Sequence, residues 1–137
     1  IVAKMAALGD KEGGIFWRGR VNHVTLSAAM QRANLLLYPS DFMETFGIVF
    51  AQAALAGCIP IVSNLGALSG QDHVITVDGP PNSDSFGESF LAAVDEMYNA
   101  PHEYRCHISD HAKEFDWPEI SREWIDLVNT PTGVTVR

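Results

Sequence analysis

Cysteine is scarce in this chain: two residues, Cys58 and Cys106, among 137. They stand in no metal-like spacing and give no framework of the kind that staples small secreted folds. Cys58 opens an apolar run and is expected to be buried, which suits a reduced, cytoplasmic setting. Positive charge is short as well. Nine Lys and Arg stand against seventeen Asp and Glu, a formal net charge of −8. That balance argues against broad nucleic-acid binding and against an electrostatic membrane anchor. No apolar run approaches the ~18 residues that a bilayer span requires. No signal-peptide pattern opens the chain. The first residue is Ile1 rather than Met, so the chain reads as an excised fragment or a processed product. Repeats and low-complexity tracts are missing too. What remains is 47% hydrophobic, enough for one domain with a real core.

Short apolar runs alternate with helically spaced segments. Residues 1–8 have helical spacing and stop at Gly9, followed by a turn at residues 11–14. Residues 15–17 form a short strand candidate. A weakly amphipathic helix follows over residues 21–33, starting near Asn22 or Thr25. Leu35–Tyr38 is a strand, ended by Pro39. A helix over residues 46–56 carries Phe46, Val49, Phe50, Ala53 and Ala54 on one side, and Gly57 closes it. Residues 58–63 form the clearest strand, nearly all apolar, as for a strand buried on both faces. Residues 74–77 read as another. Ser83 or Asp84 caps a helix to Asn99 with Phe86, Phe90, Leu91, Val94 and Met97 inward. Residues 101–115 and 118–128 are helical, and the tail from Asn129 looks frayed. The pattern predicts an α/β fold, a Rossmann-like parallel sheet flanked by helices.

The stretch from Tyr38 to Ala53 organises the rest. A strand, a polar loop with a carboxylate at Glu44, and a helix start follow one another. Such a loop sits at the carboxyl end of a parallel strand, where open α/β sheets bind ligands. The helix start offers unpaired N–H groups and the positive end of a dipole, suited to phosphate or sugar oxygens.

This stretch resembles the donor-site motif of retaining GT-B glycosyltransferases, roughly P-S-x(3)-E-x-F-G-x(4)-E-A. Pro39, Ser40, Glu44, Phe46, Gly47 and Ala53 fit it. The second glutamate position holds Gln52. The likeness continues through Ala56-Gly57-Cys58-Ile59-Pro60-Ile61-Val62 and covers roughly residues 14–127. It implies the C-terminal, nucleotide-sugar-binding domain of such an enzyme, incomplete over residues 1–128, with 129–137 as its tail. The domain's opening strand and helix would precede Ile1.

The resemblance implies roles as well. Glu44 accepts hydrogen bonds from donor sugar hydroxyls, for which a carboxylate has four lone-pair sites. Thr45, Phe46 and Gly47 contribute at the helix start, and Ser40 on the loop before it. Gln52 faces the two ribose hydroxyls with one acceptor and one donor in place of a double acceptor. The loop after residue 63 matches the family's G-G-x-P-E stretch only at Gly66. The glutamate position there falls on Gly70, no proline is present, and Asn64 joins Gly66 as a candidate contact. The family's Arg and Lys that neutralise the leaving diphosphate have no counterpart. Arg18 and Arg20 are the nearest cations, and the catalytic pair is expected upstream of Ile1.

The substrate implied is a nucleoside diphosphate sugar, with an acceptor (sugar, lipid or protein) held by a missing N-terminal domain. No cofactor and no metal is expected. His23, His73, His102, His107 and His111 make no ligand set, and His107 and His111 read as surface residues. Trp17, Trp117 and Trp124 read as core. Asp110, Glu114 and Asp116 read as a solvated acidic face. The rival reading is a non-catalytic, glycosyltransferase-like module within a larger protein, which Gln52 and Gly70 favour. A sugar-nucleotide epimerase on the same fold finds no support in the Glu44–Gly47 run.

Overall fold

The computed structural model describes residues 16–130. The helix expected over residues 1–8 and the turn at 11–14 lie outside the described residues, as do residues 131–137. Three strands form one sheet in the order β1 (Leu35–Tyr38), β2 (Ile59–Ser63), β3 (Ile75–Val77). Both pairings are parallel, with Leu35 opposite Ile59 and Ile61 opposite Ile75. All five residues of β2 are buried, as its unbroken apolar run predicts. Among the described residues β1 is an edge strand, and Leu37 is 47% exposed.

Helices cover both faces. α3 (Asp84–Tyr98) packs Phe86, Phe90 and Met97 onto Ile59, Ile61 and Val77. α2 (Ile48–Leu55) packs Phe50 onto Val62, Leu68 and Val74 on the opposite face. The period-2 alternation of the strands thus feeds two cores at once. Ala53 and Ala54 are fully buried, and their small side chains bring α2 close to its neighbours. α1 (His23–Met30) docks Met30 on Ala53 and Cys58. α4 (His102–Ala112) docks Ile108 and Ala112 on Ala54. One 3-10 turn, Lys113–Phe115, links α4 to α5 (Trp117–Asn129). Cys58 is buried as expected, and burial pushes its thiol pKa up, so it is an inert core residue.

Several expectations need correction. Phe16 and Trp17 form no strand; they are 77% and 56% exposed, and their backbone finds no ladder among the described residues. Trp117 and Trp124 are 77% and 69% exposed, so none of the three tryptophans is core. Trp117 and Trp124 fall on the apolar side of α5, which buries no residue against the described chain. Leu91 points outward from α3, although Phe86, Phe90 and Met97 point in. The α2 helix begins at Ile48 rather than Phe46, because Gly47 takes a left-handed φ of 78° that ends the extended entry there.

Candidate functional site

The carboxyl ends of β1 and β2 lie side by side, and each releases a loop. Hydrogen bonds stitch the two loops together. The Ser40 N–H donates to Ser63 Oγ at 2.9 Å, and the Phe42 N–H donates to Ser40 Oγ at 3.0 Å. Further along, the Ala67 N–H donates to the Glu44 carbonyl at 3.0 Å. Gly66 makes this approach possible. It holds φ at 60°, and a Cβ there would sit 2.7 Å from the Glu44 carbonyl oxygen. Only glycine fits such a contact with backbone, so Gly66 is a structural partner of Glu44.

The Glu44 carboxylate is half-buried and accepts a hydrogen bond from the Tyr38 hydroxyl at 3.1 Å. The Tyr38 ring is in turn fixed edge-on against Phe50, with centroids 5.1 Å apart. One carboxylate oxygen is thereby oriented by the last residue of β1, and the other remains available as an acceptor. Tyr38 was missed as a site residue. Its signal was available, since it ends the strand six residues before the acid.

Asn64 sits at the end of β2. Its N–H donates to the Val77 carbonyl at 2.9 Å, and its Nδ2 donates to Asp78 Oδ1 at 2.6 Å. Asn64 Oδ1 is buried without a partner. Ser40, Glu44, Asn64 and Gly66 therefore occupy one edge of the sheet. Thr45 is exposed beside them.

The helix start behaves differently from expectation at Gly47. A Cβ on Gly47 would stand 2.4 Å from the Phe50 ring and 3.1 Å from Leu68. The space that the missing side chain leaves is filled by the protein's own core. Among the described residues, neither Phe46 nor Gly47 gives its N–H to a backbone partner, while the Gly47 carbonyl accepts from Phe50 at 2.9 Å. The Phe46 ring is half-buried and packs edge-on against Phe115, with centroids 5.0 Å apart.

Gln52 stands apart from this cluster. It is exposed on α2 and lines two grooves. One runs against α1 with Leu26, Met30 and Gln31; the other lies along Phe46, Phe115 and Trp117. Neither groove includes Glu44. Arg18 lines a hollow against α1 with Thr25 and Arg32, away from the two loops. Asp110, Glu114 and Asp116 are exposed, as read from the sequence. Among the described residues, no group of three or more His, Cys, Asp or Glu is placed to hold a metal ion. No described helix is long and apolar enough to cross a membrane.

An acid fixed at the carboxyl end of a parallel α/β sheet, beside open helix-start amides, puts hydrogen-bond acceptors and donors together where open α/β sheets bind ligands. The chain belongs to the family described as glycosyl transferases group 1, whose profile matches residues 3–113. It is 26% identical over 136 residues to a phosphatidyl-myo-inositol mannosyltransferase of Mycolicibacterium smegmatis, covering 94% of this chain and 34% of that protein. It is 28% identical over 108 residues to a glycogen synthase of Mycobacterium tuberculosis, covering 75% of this chain and 25% of that protein. The chain thus spans from a quarter to about a third of the length of these relatives.

Proposed function

We propose that this chain is the donor-binding part of a cytoplasmic glycosyltransferase that moves a hexose, with retention, from a nucleoside diphosphate sugar to an acceptor. The observation that carries this reading is the stitched pair of loops. Glu44 is held by Tyr38 and by the bare backbone of Gly66 at the carboxyl edge of the sheet. In this scheme Glu44 receives sugar hydroxyls through its free oxygen. The Phe46 and Gly47 amides and the α2 dipole face the diphosphate, and Asn64 and Ser40 line the approach. Gln52 meets the ribose with one acceptor and one donor. The scheme uses no metal and no cofactor. The acceptor is presented by a domain outside this chain, which supplies the positioning that transfer needs.

Charge bookkeeping sets the expected strength. Helix-end amides contribute ~0.3–1 kcal/mol per charge, up to ~2 when partly buried. Millimolar binding needs about 4 kcal/mol. With no Lys or Arg found beside the two loops among the described residues, the chain by itself is expected to bind donor at millimolar strength or weaker and not to turn over. Titration calorimetry with UDP-, GDP- and ADP-sugars on the full chain, followed by a radiolabelled transfer assay, tests this. Weak saturable binding that disappears in Glu44→Ala supports the reading. Micromolar binding or turnover would mean that a cation of this chain, Arg18 or Arg20 first, reaches the site. No saturable binding even at tens of millimolar donor would favour the non-catalytic module, for which the open position of Gln52 speaks.

A further inference from the structure

His73 is buried, 1% exposed, and among the described residues neither ring nitrogen has a hydrogen-bond partner. Buried imidazoles ordinarily find one. The ring lies just before β3 and packs edge-on against Phe115, with centroids 4.8 Å apart. Phe115 packs its own ring edge-on against Phe46 at 5.0 Å. A line of three rings, His73–Phe115–Phe46, therefore runs from the loop before β3 through the turn after α4 to the residue before the Gly47 cap. The contacts around Glu44 do not explain why a histidine stands at this position. Hydrophobic periodicity does not explain it either, since a leucine would fill the place of His73 without the cost of two unpaired polar atoms.

We propose that His73 is a proton-sensitive strut behind the donor loop: as a neutral ring it holds Phe115 against Phe46, and on protonation it releases the Lys113–Phe115 turn and loosens the backbone at Phe46 and Gly47. The inference deepens the donor-site reading and rests on it for the consequence at the ligand. The physical cause is the absence of an acceptor. An imidazolium carries two N–H donors, and in this enclosure neither meets one. The charged groups that face it are Asp72 on its own loop, Glu114 on the turn after α4, and His111 on α4. Asp72 and Glu114 are exposed and attract an imidazolium through screened charge. His111 opposes it, and His111 is itself coupled to its surroundings, with His107 Nε2 at 3.2 Å and Asp72 Oδ2 at 3.9 Å. Burial outweighs the two acids and pushes the His73 pKa below its ordinary value of 6.5.

A pH titration of the full chain by NMR, from about pH 8 to about pH 5, tests this with labelled histidine rings and backbone amides. The His73 ring is expected to titrate below 6.5, and the Phe46, Gly47 and Phe115 amides to shift with the same midpoint. In His73→Phe, which keeps an aromatic ring and removes the proton, the amide shifts at Phe46 and Gly47 vanish. Should that variant fail to fold, Phe115→Leu serves instead. There His73 still titrates, and Phe46 and Gly47 no longer follow. Donor affinity in the wild-type chain falls by roughly tenfold per pH unit below the midpoint, the limit for one proton. Coupled amide shifts without any donor binding would leave the strut standing and remove the donor-site reading. A His73 ring that titrates at or above 6.5, or Phe46 and Gly47 shifts that persist in both variants, would overturn the proposal.

Discussion

The two halves of the candidate site are built in different ways. Around Glu44, every element is locked by its neighbours. Tyr38 holds the carboxylate, Gly66 lies bare against its backbone, and Ser63 ties Ser40 down. Around Gln52, the side chain stands on an exposed helix face between open grooves, eight residues on. The first half is preorganised and can bind a ligand without ordering cost; the second must gain its order from a ligand or from another part of the protein. The difference also shows what a motif carries. A residue spacing specifies which side chains are present, while preorganisation comes from partners far away in sequence.

Breaking the locked half has the largest effect. Gly66→Val forces a β-branched residue to a φ of 60° and drives its Cβ into the Glu44 carbonyl. Backbone strain costs about 1–3 kcal/mol and the overlap a similar amount, so the denaturation midpoint should fall by several kcal/mol in free-energy terms. A wild-type midpoint would show that the two loops are free to separate. Glu44→Ala removes a charged acceptor and leaves the scaffold intact. Donor affinity should drop by about 1.5–3 kcal/mol per lost hydrogen bond, with little change in melting temperature. An unchanged affinity would place the ligand elsewhere.

Acid weakens the same half through His73. The unfolded chain takes up a proton near 6.5, and the folded chain resists it because burial holds the ring's pKa lower. In the window between the two values the unfolded state binds more protons, so stability rises with pH there, by at most about 1.4 kcal/mol per unit. Urea midpoints measured across that window in wild type and His73→Phe isolate the contribution. Equal slopes in both would assign it to other groups.

The open half sharpens the contrast through a gain. Gln52→Glu replaces one donor and one acceptor with a double acceptor. Nucleotide-sugar binding should tighten by on the order of 1 kcal/mol, about fivefold, visible by calorimetry. No change would mean that residue 52 does not reach the ribose. The smallest effect belongs to α5. Trp124→Ser alters a side chain that is 69% exposed and should move stability by less than about 0.5 kcal/mol. A larger loss would reveal that the apolar face of α5 is covered.

Local physics was readable in the sequence where it was sufficient. β2 announced itself because a nearly all-apolar run suits a strand covered on both faces. Glu44 and Gly66 were named from the family resemblance and Asn64 from its place at a strand's end, and the fold brings them to one end of the sheet. The helix start at Ile48 was read two residues early. Periodicity detects a face but not a φ, and Gly47 combines a positive φ with a position where Phe50 and Leu68 leave no room for a side chain. The inward side of α5 was misjudged for a related reason, since an apolar stripe predicts that something covers it without saying what. His73 was invisible because a single histidine between Asp72 and Val74 carries no pattern. Its partner Phe115 lies 42 positions along the chain.

The central claim is that the Glu44 edge of the sheet is where a sugar nucleotide is held. The most direct test is a map of backbone amide shifts in the full chain as UDP-, GDP- and ADP-sugars are titrated. The account predicts saturable shifts clustered at Ser40, Glu44, Thr45, Phe46, Gly47, Asn64 and Gly66 for at least one donor, and their loss in Glu44→Ala. Saturable shifts confined to the grooves beside α1 or α5, or a cluster that persists unchanged in Glu44→Ala, would contradict it.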